Sequence, residues 1–366
     1  MEIAEAVRRM GLANTYKDPH WNRAVKVTDN TVQKAAPEWL EALLGALLQV
    51  TRPTYPMRYG FEVALRRLAL APGDADRVAN VRALAVQGRA WADVRYGLPE
   101  VAELLACGQP PEHLLAVFDD ADPADELAAC LLQETALRHD ATSATEFAER
   151  LRAAGHPLAD LPLRPAPAER EHALTAYPEP PKPAWCLPGD DAPEAPGPPG
   201  LAIAAEAVDW PDSSRARSAF RDWTADAEDI EARLFRLGRP IAAGEFGSSL
   251  LSALPAASTG PAVTGVRRVT TADVLRRLFG AAAGGGAYGP GMHGAYARRA
   301  SWESLAALAD VQEFNVTAIE EAADRCGWLF YTSDWHMRII PTLDVGIAAL
   351  RPDRRTVAVL AATDAD

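Results

Sequence analysis

The chain has 366 residues, of which 48% are hydrophobic and 24% are charged, a composition typical of a globular protein with a substantial core. Its formal net charge of -13 argues against a nucleic-acid-binding protein, because contacts to phosphates require a basic surface. The sequence contains no run of about 18 uncharged apolar residues, so no membrane-spanning helix is predicted.

The cysteines and the first residues indicate a cytoplasmic protein. The four cysteines, Cys107, Cys130, Cys186 and Cys326, are too far apart in the sequence to form a paired redox or zinc motif. Unpaired thiols are typical of a reducing compartment. The chain starts without a basic or long apolar stretch, so no signal peptide is predicted. The sequence identifies no cofactor and no metal site.

Residues 1–160 show helical periodicity throughout. In Pro37–Gln49 the leucines Leu40, Leu43, Leu44 and Leu47 recur every three or four positions. Several of the other segments begin with a proline or with a capping Asp or Ser, as helices often do. These further helices are predicted over Phe61–Ala71, Asp76–Gln87, Pro99–Cys107, Pro111–Phe118, Pro123–His139 and Ser143–Ala154. We therefore interpret residues 1–160 as a helical domain.

Proline recurs in clusters from Pro157 to Gly200. This density excludes a regular helix or a central strand. We interpret residues 161–200 as a proline-rich linker between domains. The alternative is a proline-rich ligand for the aromatic groove of a partner.

Residues 201–366 combine helical and strand-like segments. Ile230–Leu237 fits a helix and a strand equally well. Three later segments, Trp328–Thr332, Leu343–Leu350 and Thr356–Ala362, have the composition and alternation of strands. Proline and aspartate in Arg351–Arg355 predict a tight turn between the last two, and hence an antiparallel meander. The sequence therefore predicts an α+β fold, with a C-terminal domain of helices and a small antiparallel sheet.

A loop of high glycine content, Gly280–Gly294, separates two predicted helices. Consecutive backbone N–H groups in such a loop can bind an anion. Neither glycine motif for nucleotide phosphates is present, so the alternative is a connector or a close-packing site. The candidate ligand site spans residues 280–302 and comprises Gly285, Gly286, Tyr288, His293, Arg298 and Trp302.

Arg298 is the strongest single candidate in this region. On a helical wheel it lies about 40° from Trp302, on the predicted buried face. A buried arginine requires a partner, which is either a carboxylate of the protein or an anionic ligand. Arg299 lies four residues before Glu303, and an ion pair on the helix surface explains it.

A second cluster follows the Trp328–Thr332 segment. Asp334 and His336 could act together as a general base or as two metal ligands. The sequence indicates no third group for either role. The alternative is a polar turn that is anchored by Trp335.

Parts of the second half resemble an uncharacterised actinobacterial family of unknown function. The resemblance extends from about Ala232 to the C-terminus. It rests on Gly285–Tyr288, Gly294–Arg298, Ala300–Leu308, Asp344–Asp353 and Val357–Asp364. It implies a cytoplasmic protein of α+β type, and it transfers no catalytic residues because the family has no established activity.

The sequence favours a non-catalytic binding or interaction protein, because it lacks the standard motifs of hydrolases, metalloproteases and calcium-binding loops. The alternative is an enzyme or small-molecule binder that acts on an anionic metabolite at residues 280–302. The expected partner is accordingly a protein or an anionic small molecule.

Overall fold

A computed structural model describes residues 1–91, 93–171, 174, 194–195, 197–198, 201, 203–223, 229–260, 263–337 and 343–364. Two units, Met1–Ala159 and Asp160–Asp366, make most of their contacts internally. Most of the predicted linker 161–200 lies outside the described residues, but its described start contains the short helix Pro167–Glu171, contrary to the expectation that the proline density excludes a helix.

The first unit is helical, as predicted. Proline occupies the first turn of several helices, and the carboxylates of Asp74 and Asp125 accept hydrogen bonds from backbone N–H groups at two helix starts. Leu127–Leu137 is buried along its whole length, which makes its helix the centre of the unit. The helices are α1 Ile3–Met10, α2 Trp21–Asn30, α3 Pro37–Leu48, α4 Tyr55–Leu70, α5 Ala75–Gly88, α6 Leu98–Gly108, α7 Pro111–Leu115, α8 Glu126–Arg138 and α9 Thr145–Ala153.

The second unit contains an antiparallel sheet of six strands in the order β1-β2-β6-β5-β4-β3. The strands are β1 Ala205–Val208, β2 Ile230–Leu237, β3 Thr264–Val269, β4 Gly327–Thr332, β5 Asp344–Leu350 and β6 Thr356–Thr363. The predicted meander is confirmed as β4-β5-β6. The ambiguous segment Ile230–Leu237 is a strand because it pairs with β6 and places Phe235 and Leu237 in the core.

Both faces of the central strands are buried. Every residue of β5 and β6 is buried, and the positions around Val357 and Val359 pack against the chain between Ile241 and Leu254. Hydrogen bonds from side chains connect the sheet to the helices. Arg277 donates to the Asp344 carbonyl oxygen, and Trp328 donates to that of Ala323. The helices of this unit are α10 Pro167–Glu171, α11 Ser213–Ala216, α12 Ser248–Leu251, α13 Thr271–Gly284, α14 His293–Ala309 and α15 Val316–Ala323.

The helix α14 runs between the two ends of this sheet. Arg351, in the β5–β6 turn, donates to the carbonyl oxygens of Leu308 and Ala307, so α14 ends beside that turn. At the opposite end, the N–H of Ala287 donates to the carboxylate of Asp364, just after β6, at 2.8 Å. We call these the turn end and the loop end of the sheet.

A buried ion pair fixes α10 to α14. Glu169 and Arg298 both have fully buried side chains, and two hydrogen bonds of 2.6 and 2.8 Å join guanidinium and carboxylate. The indole N–H of Trp302 also donates to Glu169, and Arg298 donates further to the Pro162 and Arg164 carbonyl oxygens. Each charge is therefore balanced and hydrogen-bonded inside the unit.

We expect Glu169→Ala to lower the free energy of unfolding by about 3–5 kcal/mol, because it leaves the buried charge of Arg298 without a counter-charge. Urea denaturation followed by tryptophan fluorescence measures this loss. The double variant Glu169→Leu/Arg298→Met removes both charges and should recover most of it. A double variant no more stable than Glu169→Ala would contradict the explanation by charge balance.

The same pair predicts a dependence of stability on pH. Burial alone would raise the pKa of Glu169, but the charge of Arg298 and the hydrogen bonds from Arg298, Trp302 and the Ala166 N–H lower it below its usual 4.5. The stabilisation by the ion pair is therefore present at pH values above the pKa of Glu169 in the unfolded chain. It is lost as the pH falls through the lower pKa of Glu169 in the folded protein. Unfolding curves recorded from neutral to acidic pH should show a smaller acid loss for the double variant than for the wild type.

Candidate functional site

The predicted glycine loop is shorter than expected. The prediction that it begins at Gly280 is wrong, because α13 continues through the alanines to Gly284 and ends at Gly285, which has a positive φ of 70°. Alanine favours the helix, and a left-handed glycine is a common helix terminator. The helix α14 begins at His293, so the connecting loop consists of residues 285–292.

The loop packs closely against other parts of the unit. A Cβ atom at Gly286 would overlap the Asp364 carboxylate and would come within 3.1 Å of the Trp223 ring, and one at Gly289 would overlap the Asp222 carbonyl oxygen. The indole N–H of Trp223 donates to the Ala281 carbonyl oxygen at 2.8 Å. Close packing therefore accounts for these glycines. Tyr288, by contrast, is 64% exposed.

The second predicted cluster, Asp334 and His336, lies in a turn in which the histidine is buried. The backbone N–H of Ser333 donates to Nδ1 of His336 at 3.1 Å, so Nδ1 is an acceptor. Nε2 then carries the proton and donates to the Val345 carbonyl oxygen at 3.2 Å. Asp334 is exposed whereas His336 is 3% exposed, so the two side chains point to different surroundings. The Trp335 ring contacts that of His336 edge-on, as the turn interpretation expected.

The structure brings the glycine loop and this turn to the loop end of the sheet. Ala287 bonds to Asp364, and the N–H of Met337 donates to the adjacent Thr363 hydroxyl at 2.9 Å. That hydroxyl donates to the carboxylate of Asp344 at 2.7 Å. Arg298 and Trp302 do not join this group, because Glu169 binds both. The protein itself supplies the carboxylate partner of Arg298, so no anionic ligand is needed to balance this charge.

The described part of the chain contains neither a candidate metal site nor a helix that could cross a membrane. No three histidine, cysteine, aspartate or glutamate side chains converge there in a way that could hold a metal ion. Each helix there is also too short or too polar to cross a lipid bilayer.

A concave surface of about 410 Å³ lies at the turn end of the sheet and carries four arginines. Arg268 comes from the end of β3, Arg325 from the segment between α15 and β4, and Arg351 and Arg354 from the β5–β6 turn. None of the described residues that line it is acidic. We call this surface the arginine pocket.

Three of these arginines are held by backbone carbonyl groups. Arg268 donates to the Ala243 and Phe246 carbonyl oxygens at 2.7 and 2.8 Å, and Arg354 donates to that of Ile241. A carbonyl oxygen orients a guanidinium group without neutralising its charge. Arg351 differs, because it also pairs with the carboxylate of Asp310 at 3.1 Å. The exposed Arg325 completes the pocket.

An adjoining depression of about 630 Å³ shares Arg325 and Arg351 with the pocket, and Asp310, Glu313 and Asp353 also line it. Asp353 belongs to the β5–β6 turn. Burial would raise its pKa, but hydrogen bonds from the Thr356 hydroxyl and from two backbone N–H groups lower it. The positive surface thus has an acidic border on one side.

The arginine pocket contains one potential nucleophile, Cys326, among the residues that the structure describes there. Burial raises the pKa of this thiol to about 11, so it is protonated at neutral pH. A thiol rather than a thiolate is a weak nucleophile. The described lining therefore presents guanidinium groups of the charge that suits an anion, and its thiol is not activated for covalent chemistry.

The sequence interpretation missed this pocket because its arginines lie on three separate segments. The turn Arg351–Arg355 was recognised for its proline and aspartate, and its three arginines were the available signal. Only the pairing of β3 with β4, and of β4 with β5, brings Arg268 and Arg325 beside that turn.

The close packing around Gly286 predicts that a side chain at this position lowers the stability of the protein. We expect Gly265→Ala to cost about 1–2 kcal/mol, because it places alanine at a positive φ of 58° where the nearest atom is 3.4 Å away. Gly286→Ala has a comparable φ of 71° and should cost about 1–3 kcal/mol more, because the added methyl group also displaces Asp364. Chemical denaturation of both variants measures the difference. Equal losses would show that the loop does not depend on this contact.

One protein family matches nearly the whole chain. A family model, described as a family of unknown function (DUF6183), matches residues 22–366. The match therefore covers nearly the whole chain, and not only the C-terminal part in which the resemblance was found. Searches of curated proteins and of solved structures give no significant match. The chain belongs to DUF6183, a family of unknown function.

Proposed function

We propose that this protein is a non-catalytic binding protein whose arginine pocket takes an anionic group, either a carboxylate or a phosphate. The observation that carries the proposal is a set of four guanidinium groups on one concave surface, in a chain with a net charge of -13. The ligand is an acidic group of a protein partner or an anionic small molecule, which share this chemistry.

The geometry of the arginines supports binding. The carbonyl oxygens of Ala243, Phe246 and Ile241 hold Arg268 and Arg354 in place before any ligand arrives. A binding group that is already ordered loses little conformational entropy on association. A planar guanidinium group binds a carboxylate or a phosphate through two parallel hydrogen bonds.

The surroundings of the arginines supply the rest of a binding site. Phe246, Leu350 and Pro352 provide apolar walls. A volume of about 410 Å³ falls within the range of small-ligand pockets, roughly 300–1,000 Å³. The protonated state of Cys326 favours binding over covalent catalysis.

Arg325 offers the cleanest test because it is exposed and lies outside the hydrogen bonds that hold the other arginines. We expect Arg325→Ala to weaken the binding of citrate by about 5–10-fold, the loss of one charge-assisted hydrogen bond. Arg325→Glu should abolish binding, because it adds a repulsive charge. Isothermal titration calorimetry at low salt concentration measures both.

Arg217→Ala is the matched control, since Arg217 is an exposed arginine of the same unit that does not line the pocket. It should bind citrate like the wild type, and all three variants should keep the wild-type melting temperature. The proposal fails if Arg325→Glu retains wild-type affinity, or if Arg217→Ala loses as much affinity as Arg325→Ala.

A further inference from the structure

A second basic depression lies on the N-terminal unit, separate in sequence from the arginine pocket. Its volume is about 450 Å³, and it forms around the start of α2 and the turn that precedes it. The polar side chains that line it come from α1, the turn and α2. They are Arg9, His20, Asn22, Arg23, Lys26 and Asn30, together with Thr31 just after α2.

The charges around this depression are predominantly positive. None of its described lining residues is acidic. Three acidic residues, Glu2, Asp18 and Asp29, directly adjoin lining residues in the sequence, and none of them lines the depression. The carboxylate of Asp18 accepts hydrogen bonds from the N–H groups of Thr15 and Asn14, which lower its pKa. The carboxylate of Glu5 accepts hydrogen bonds from Arg8 and from the lining residue Arg9, so the charge of Arg9 is already paired. Arg23 and Lys26 are exposed, one helical turn apart on α2.

The distribution of lysine singles out the same part of the chain. The protein has four lysines, and three of them, Lys17, Lys26 and Lys34, fall within residues 17–34. Of these three, Lys26 lines the depression. Elsewhere the basic residue is almost always arginine. A lysine ammonium group binds phosphate as a compact point charge, whereas asparagine and histidine add neutral N–H donors.

We propose that this depression is a phosphate-binding site for a soluble phosphate-bearing small molecule, with Arg23 and Lys26 supplying the charge and His20, Asn22 and Asn30 supplying hydrogen-bond donors. The ligand lies in a concave site between a turn and two helices. This site does not depend on the arginine pocket, because the two share no lining residue.

Hydrogen–deuterium exchange with mass spectrometry tests this site on the full chain, with inorganic pyrophosphate as the probe. We expect pyrophosphate to slow exchange in residues 15–31 of the wild type. Arg23→Ala/Lys26→Ala should remove this protection and raise the dissociation constant measured by calorimetry by about tenfold or more, since two charge-assisted contacts are lost. Arg325→Glu, in the other unit, should keep the protection.

The control is Lys34→Ala/Arg52→Ala, which removes two exposed positive charges from the same unit outside the depression. This variant should retain both the protection from hydrogen–deuterium exchange and the affinity for pyrophosphate. Absence of protection in the wild type would overturn the proposal. An equal loss in the control would also overturn it, because binding would then be a general attraction to positive charge.

Discussion

Burial of both faces of β5 and β6 is the constraint on which the rest of the C-terminal unit depends. Antiparallel sheets commonly expose one face to water, and such a face can carry a binding site. Here the chain between Ile241 and Leu254 packs on one face, and side-chain hydrogen bonds connect the sheet to the helices. Polar chemistry is therefore concentrated at the two ends of the sheet. The loop end is closely packed, and the turn end carries a concave surface with four arginines.

In this unit the hydrogen-bond partner of each arginine guanidinium group determines whether the arginine stabilises the fold or remains available for binding. Arg298 is fully buried and pairs with Glu169, so its charge is cancelled inside the protein and its contribution is to the fold. Arg268 and Arg354 bond to carbonyl oxygens, which orient the guanidinium groups and leave the charge available. The same residue type thus stabilises the unit in one place and prepares a binding surface in another.

Local sequence signals predicted the local structure well. The alternation in Leu343–Leu350 and Thr356–Ala362 predicted the strands, and the ion pair Arg299–Glu303 is present as expected. The partner of Arg298 could not be predicted, because Glu169 lies 129 residues away in a segment interpreted as linker. The arginine pocket was missed for the same physical reason. Its members meet only through strand pairing, which leaves no periodic signal in any one segment.

We propose that the arginines at the turn end of the sheet receive an anionic group. Side-chain NMR spectra of the arginine Nε–H groups during a titration with citrate test it most directly, because each arginine reports separately. We expect saturable shifts for Arg325 and Arg354, with the signals of Arg217 and the buried Arg298 unchanged. Unchanged signals for Arg325 and Arg354, or equal shifts at Arg217, would contradict it.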